Sequence, residues 1–509
     1  MIPPARERDR GAGLRGLDVQ RLLLIVFVGV VFVGLSRPGD PAHPLLETDL
    51  WWHLANGRYI LSHGVPSHDV YSHTAVGHVW VVHEWLADVI FYVLYQVGGL
   101  RLLILLSAAV VAAGAHLVYR LLRFGGLGNN SAVMLGMVLF FAAAPSFGPR
   151  PQILNFLLTG VLCVWLLRHR QAPTARIWWL LGFFVLWANL HSGYLVGVGL
   201  LAAFTAGEYL QGASRRLASM RQEAVPTLPK PELRRLGILV VLAFLSGLLT
   251  PATYRLVLFP LGTLSSSRIQ SFIIEWASPD FHTLPAQMLL VSILVLVGGL
   301  LSSRRPADLT HLFWGVAGLA LALTSQRHVP IFAVAGAPLV GHAASSLLAA
   351  AGVGPRRPRV PSPVAARLNA SILAALAVLA AVFMAVNLTT PSIDRVVNAV
   401  EPVAATDWIL THRPARELFN FYSFGGWLVW RANPDYPVFI DGRTEVYGDA
   451  IFDDYLRTEF LSDQWQEPLD RYHVKTIMVA SGDRLTLLLP SHGWRLAYGD
   501  DVARVYVRD

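Results

Sequence analysis

Residues 42–88 read AHPLLETDLWWHLANGRYILSHGVPSHDVYSHTAVGHVWVVHEWLAD, and what flanks them decides the fold. Before them lies an apolar run, 20–36, introduced by Arg6, Arg8, Arg10, Arg15 and Arg21; after them the chain is apolar in repeated runs as far as Leu388. The first run has no small-residue cleavage site behind it, so it reads as a retained span and not as a signal peptide. The positive-inside rule then puts the amino terminus in the cytoplasm and residues 37–78 outside. Seven of the 17 histidines fall in this stretch: His43, His53, His63, His68, His73, His78 and His83. From Asp49 to about His63 the residues Leu50, Leu54, Ile60 and Leu61, with Trp51 and Trp52, can share one helical side. This predicts an amphipathic helix in the membrane interface, with its tryptophans at headgroup depth. Asp49 stands at the helix start, where the helix dipole and capping favour a carboxylate.

Composition points the same way. Of 509 residues 54% are hydrophobic and 15% charged, against about 25% charge in soluble domains, and the mean hydropathy is +0.49. A secreted or cytosolic enzyme is excluded. Apolar runs follow the first at about 79–98, 100–120, 131–147, 152–168, 177–190, 194–212, 236–251, 285–302, 309–325, 329–349 and 368–388. Basic loops at 213–235, at Arg304 and Arg305, and at 355–367 read as cytoplasmic and leave the tail outside. Twelve spans starting inside would return the tail inside, so 11 or 13 crossings are expected. Residues 252–275, ending in IIEW, read as a half-membrane or interfacial element. The one cysteine, Cys163, rules out an intramolecular disulfide and a cysteine metal site.

Beyond residue 389 the character changes. Residues 390–509 hold 12 basic and 18 acidic side chains, net −6, while residues 1–389 carry net +14. A helix near 401–412, a second near 449–462 and short β-rich runs (LFNFYSF, WLVW, PVFIDGR, TIMVA, RLAYGDD, ARVYVRD) predict a small α/β domain. Its acidity argues against nucleic acid, and it has no phosphate-cradling glycine loop. The fold class expected is thus a polytopic α-helical membrane protein of about 11–13 transmembrane helices (1–389) with a C-terminal extracytoplasmic α/β domain (390–509). The implied location is a bacterial-type cytoplasmic membrane.

An Asp just beyond the first span, an interfacial helix with its Gly and Pro (NGRYILSHGVP), and a second span introduced by HEWL and ended by Gly-Gly before Leu100 and Arg101 resemble the GT-C superfamily. These are integral-membrane glycosyltransferases that use polyprenyl-phosphate sugars, among them the dolichyl-phosphate-mannose and ArnT-like enzymes. The resemblance covers the first 125 residues best. It implies that Asp49 matches the family's loop carboxylate, acting as general base on the acceptor or positioning it. Where many members have two adjacent acids, this chain has Asp49 before Leu50, with Glu47 two residues earlier.

The remaining candidates follow from charge in costly places. Asp69 in SHDVYSH, and His83 and Glu84 at the mouth of the second span, are placed for acceptor positioning or metal ligation, or else cap a helix with interfacial polarity; His53 is a further candidate for substrate binding. HEWLAD is not a zinc-protease motif, because residue 87 is Ala. Arg150 in FGPRPQ, His191 in NLHSGY, Glu275 in IIEW, and Arg327 with His328 in SQRHVP lie where apolar runs break, mainly toward the outer side. Arginines there suit a lipid-linked phosphate, because a guanidinium offers two donors and stays charged; the plainer role is anchoring helix ends. In the tail, Asp441 and Arg443 could meet a sugar or peptide acceptor, or close their own turn. No metal ligand and no cofactor is assigned, though a divalent metal is compatible.

The expected function is a membrane glycosyltransferase moving a sugar from a polyprenyl-phosphate donor to a lipid, glycan or protein acceptor. Asp49 is the base, with Glu47 and Asp69 as alternates, and Arg150 and Arg327 are the phosphate partners. Expected partners are the lipid-linked donor, the acceptor and membrane lipids. Two other readings remain: a transporter or flippase of lipid-linked sugars, and a catalytically silent scaffold of the same fold.

Overall fold

The computed structural model describes residues 18–40, 43–44, 47–217, 227–265, 272–304, 306–354 and 361–508. Every apolar run predicted to span is helical over most of its length. The first is Val19–Leu35, whose Asp18 side chain accepts from the Arg21 amide to cap it. Two expected spans share one 40-residue element, Trp85–Phe124, broken at Gly99 with φ 61°. Forty residues would reach about 60 Å as one rod, twice the hydrocarbon thickness, and the Gly-Gly predicted to turn the chain is where the break falls. Residues 79–84, assigned to that span from their hydropathy, are not helical; Val79 instead bridges His68 across the loop.

The bundle continues with Asn129–Ala143, Ile153–Gln171, Trp179–Leu190, Tyr194–Leu217, Lys230–Leu245, Tyr254–Ser265, Leu284–Ser302, Leu309–Thr324 and Pro363–Asn387. Residues 329–349 form Val329–Ala335 and Ala337–Ala350, bent by 64°. Among the described residues five helices are long and apolar enough to cross a bilayer, or six with the bent pair as one span, and three further apolar helices are shorter. Of the predicted half-membrane segment 252–275, residues 266–271 lie outside the described residues; the rest holds the helix Tyr254–Ser265 and the start of the single turn Ile274–Trp276. The chain is an integral-membrane protein with a helical bundle and a small C-terminal sheet.

The tail sheet has four strands: β1 Leu418–Asn420, β2 Thr476–Ala480, β3 Arg495–Gly499 and β4 Ala503–Val507, in the order β1-β2-β4-β3. β1 and β2 run parallel, with Leu418 opposite Thr476, and the other pairs are antiparallel. WLVW, read among the β-rich runs, lies in the helix Gly425–Arg431; the four residues are mostly buried, and periodicity cannot separate a short buried strand from a short buried helix.

The first loop packs as part of this tail. The His73 amide donates to the Val438 carbonyl and the Val438 amide to the Tyr71 carbonyl, and Thr74 Oγ1 donates to the Phe439 carbonyl at 2.6 Å. Tyr71, Ala75, Trp80 and Val82 share one apolar core with Phe419, Phe439, Ile440 and Tyr455. The helix Asp49–His63 matches its predicted bounds, but it is no interfacial float: Leu50, Trp51, Trp52 and Leu54 are buried in protein. Trp51 meets Trp427 edge-on at 4.7 Å and donates to Glu401. The tail, together with Phe91, Leu103 and Ile104 of the element Trp85–Phe124, supplies the apolar cover that the sequence assigned to lipid.

Candidate active site

Asp49 occupies the first turn of its helix, with Thr48 as the preceding cap residue. Its Oδ1 accepts from Trp52 Nε1 at 3.3 Å, and its Oδ2 lies 3.8 Å from Arg150 Nη1. The same Arg150 nitrogen is 3.6 Å from Glu47, while Nη2 pairs with Glu275 at 2.5 Å. Three predicted acids thus converge on one predicted arginine from two separate segments. The carboxylates remain open: Glu47, Asp49 and Glu275 keep 28%, 34% and 32% of their side chains exposed, against 7% for Arg150. Gly442 of the tail lies against the Asp49 carboxylate, and any Cβ there would run into it and into the Trp52 indole. The tail therefore walls one side of the site.

Arg327 comes in through paired turns. The Gln326 amide bonds the Ala277 carbonyl and Ser325 Oγ the Glu275 carbonyl, so Gln326–His328 rides beside Ile274–Trp276. The Arg327 guanidinium sits 5.2 Å over the Trp276 ring, close enough to influence Glu47 and Glu275. Among the described residues no carboxylate lies within salt-bridge reach of it. His328 is half-buried beside Trp276, at 6.0 Å between rings.

Burial pushes the Glu47 and Asp49 carboxyls above the usual carboxylate range, against the pull of Arg150. Glu275 goes the other way: burial raises it, but Arg150 and Arg327 outweigh burial and hold it low. One site thus contains a firmly ionised acid and two that bind protons more readily.

Behind Asp49 lies a second group. His53 Nδ1 is 2.6 Å from Asp88 Oδ1 and its Nε2 is 3.3 Å from Glu84 Oε2. His83 Nδ1 and His191 Nε2 approach Glu84 Oε1 at 3.3 and 2.8 Å. The His191 tautomer is fixed from outside: the Gly193 amide donates to Nδ1 at 2.8 Å, so the proton of the neutral ring sits on Nε2. Burial raises Glu84, yet the three imidazoles around it pull it well below the usual range. Burial lowers His53, but Asp88 and Glu84 together leave it raised.

Asp69, Asp441 and Arg443, expected to meet an acceptor, are brought together but sealed. Arg443 Nη1 pairs with Asp69 at 2.8 Å and Nη2 with Asp441 at 2.6 Å, all three side chains at 0% exposure, with Tyr71 and Trp80 stacked on the guanidinium. None of them is open to a substrate; the trio staples the first loop to the tail.

Sequence reasoning missed Glu445, Tyr422, Trp276 and Asp88. Burial raises Glu445, partly offset by His83, and Tyr422 is raised by burial and by the nearby Asp49. Nothing local marks either as facing the loop. Asp88 did carry a signal: it stands four residues after Glu84, on one helical face inside an apolar run.

No protein-family model matches the chain, and no curated protein does. Among solved structures it is similar to the archaeal oligosaccharyltransferase AglB from Archaeoglobus fulgidus in complex with an inhibitory peptide and a dolichol-phosphate, with TM-score 0.52 and 10% identity over 96% of this chain and 74% of that one. A crystal structure of the Archaeoglobus fulgidus oligosaccharyltransferase, tethered by a disulfide to an acceptor peptide containing the NVT sequon, gives TM-score 0.49 and 11% identity over the same shares. At such identity the likeness is one of fold: this chain has a fold like that of the archaeal oligosaccharyltransferase AglB.

Proposed function

We propose that the chain is a membrane glycosyltransferase, taking a sugar from a polyprenyl-phosphate-linked donor and passing it to a lipid, glycan or protein acceptor on the outer face of a bacterial-type cytoplasmic membrane. The observation that carries this reading is Asp49: a carboxylate one-third exposed in a protein-walled cleft, beside Arg150, with a second arginine, Arg327, near enough to act on Glu47 and Glu275. The solved AglB structure holds a dolichol-phosphate and a peptide, which fits a cleft shared by a lipid phosphate and an acceptor.

The chemistry follows from charge. Asp49 takes the proton of an acceptor hydroxyl or amine as its lone pair attacks the anomeric carbon, and the carboxyl's raised affinity for protons suits that transfer. The bond from the anomeric carbon to the phosphate oxygen breaks, and the electron pair leaves on the lipid phosphate. Arg327 meets that charge with free donors, which is where preorganised cations lower a barrier most. Arg150 holds Glu47, Asp49 and Glu275 in place. A divalent metal does not fit among these three carboxylates as they stand, because the Arg150 guanidinium occupies the point on which they converge. No step is routed through one.

The test is transfer of label from a panel of radiolabelled polyprenyl-phosphate sugars to membrane extract, by the purified protein and by Asp49→Asn. Transfer that the substitution abolishes supports the reading. Transport of labelled lipid into sealed vesicles, unchanged by Asp49→Asn and without any transfer, overturns it.

A further inference from the structure

We propose that His53 and Glu84, with Asp88 orienting His53, form a binding site for one divalent transition-metal ion, separate from the Arg150 cleft, that clamps the helix bearing Asp49 to the second span. One donor atom from each of the three lies within 4.8 Å of the other two, and all three residues are buried. Among the described residues no Arg or Lys comes within salt-bridge reach of Glu84 or Asp88, so two buried carboxylates are faced by imidazoles and the Asn56 amide. Buried charge left in that state is costly.

His191 Nε2, which carries its ring's proton, donates toward Glu84 Oε1 at 2.8 Å, with His83 Nδ1 3.3 Å from the same oxygen, which leaves Oε2 facing His53. One further atom points to a missing ligand. Asn56 donates to Asp88 Oδ2 at 2.6 Å while its own Oδ1, wholly buried, has no partner. Amide orientation is interchangeable on shape alone, so Asn56 can present either atom to the cluster. His53 also carries the support expected of a ligand: Asp88 Oδ1 at 2.6 Å from Nδ1 takes that proton and turns the Nε2 lone pair to Glu84. Its Nε2 and Glu84 Oε2, 3.3 Å apart, are spaced like two ligands each about 2.0–2.1 Å from one tetrahedral ion.

The helices can meet this closely because Gly57 faces the second span: a Cβ there would strike the Asp88 carbonyl. Mixed imidazole and carboxylate donors select Zn²⁺ or Mn²⁺ over the all-oxygen coordination of Ca²⁺. An ion here acts on Asp49 by position, since His53 lies one helical turn beyond it. The site does not depend on the glycosyltransferase reading, and its test does not use transfer.

Full-length protein in detergent is stripped with chelator, incubated with Zn²⁺ or Mn²⁺, desalted and analysed for metal. About one equivalent is expected to remain on the wild type, on Asp49→Asn and on Glu275→Gln, and to be lost from Glu84→Gln and Asp88→Asn. The absence of retained Zn²⁺ and Mn²⁺ on the wild type overturns the site and leaves a buried protonated His53 between two acids. Retention lost from Asp49→Asn or Glu275→Gln instead would move the ion to the cleft and also overturn it. X-ray absorption on the metal-loaded wild type needs no variant to fold: a first shell with imidazole nitrogen supports the site, and a shell of oxygen alone overturns it.

Discussion

Two arginine-centred clusters lie one on each side of Gly442. Arg150 gathers Glu47, Asp49 and Glu275; Arg443 gathers Asp69 and Asp441. The chemistry of the residues is the same, but access differs: about a third of each carboxylate is exposed in the first cluster and none of either in the second. An ion pair closed on all sides has no lone pair left for a substrate, whereas an open one keeps a carboxylate oxygen free to take a proton. Access to solvent, not residue type, separates a site from a staple.

The sharpest way to break that distinction is at Asp49. Asp49→Asn keeps the shape and the Trp52 contact but removes the base, and transfer should fall by about 10²- to 10⁴-fold, with melting temperature little changed. A variant that melts early would make Asp49 a structural residue like Asp441. Arg443→Leu should do the reverse. It leaves two buried carboxylates without a counter-charge, a loss of about 3–5 kcal/mol, read as a fall in melting temperature and faster proteolysis of residues 64–82. Arg150→Gln, with partly exposed partners, should cost far less stability.

These clusters also mark how far the sequence could be read. Span positions were legible because apolar runs of this length have few other uses, and the Gly98–Gly99 turn and the bounds Asp49–His63 followed from local periodicity. Arg150, Glu275 and Arg327 were legible as charges at breaks in apolar runs, since such charges need a partner or a cavity. Which carboxylates they would meet was not, because Glu47 and Glu275 are more than 200 residues apart and only tertiary packing joins them. Trp51 and Trp52 misled for a related reason: an amphipathic helix looks the same from sequence whether lipid or a folded tail covers its apolar face. Asp441 and Arg443, two apart after an apolar run, gave no local sign of whether water or Tyr71 and Trp80 would surround them.

Arg327 tests the open cluster from the donor side. With no acid within reach, its loss should spare the fold and weaken the hold on the lipid phosphate. Arg327→Gln should raise KM for the donor by roughly 10- to 100-fold, the worth of one or two charge-assisted hydrogen bonds, with less effect on acceptor KM. A melting temperature that falls instead would place Arg327 with Arg443 among the structural cations.

The smallest effect is expected at Glu401, at the joint between the Asp49 helix and the tail. Its Oε1 accepts from Trp51 Nε1 at 2.9 Å while Oε2 is buried without a partner. Burial pushes this carboxyl up to about 8 from 4.5, only partly offset by the Trp51 bond. The folded protein therefore binds a proton that the unfolded chain releases above pH 4.5. Stability from this group is complete below that pH and is lost as pH rises through about 8. Glu401→Gln keeps an acceptor for the Trp51 indole and removes the titration. Melting temperature followed from about pH 5 to about pH 9 should decline more steeply for the wild type than for the variant. Equal slopes would mean that Glu401 ionises as freely in the folded chain as in the unfolded one, and would put the joint on the open side of the comparison.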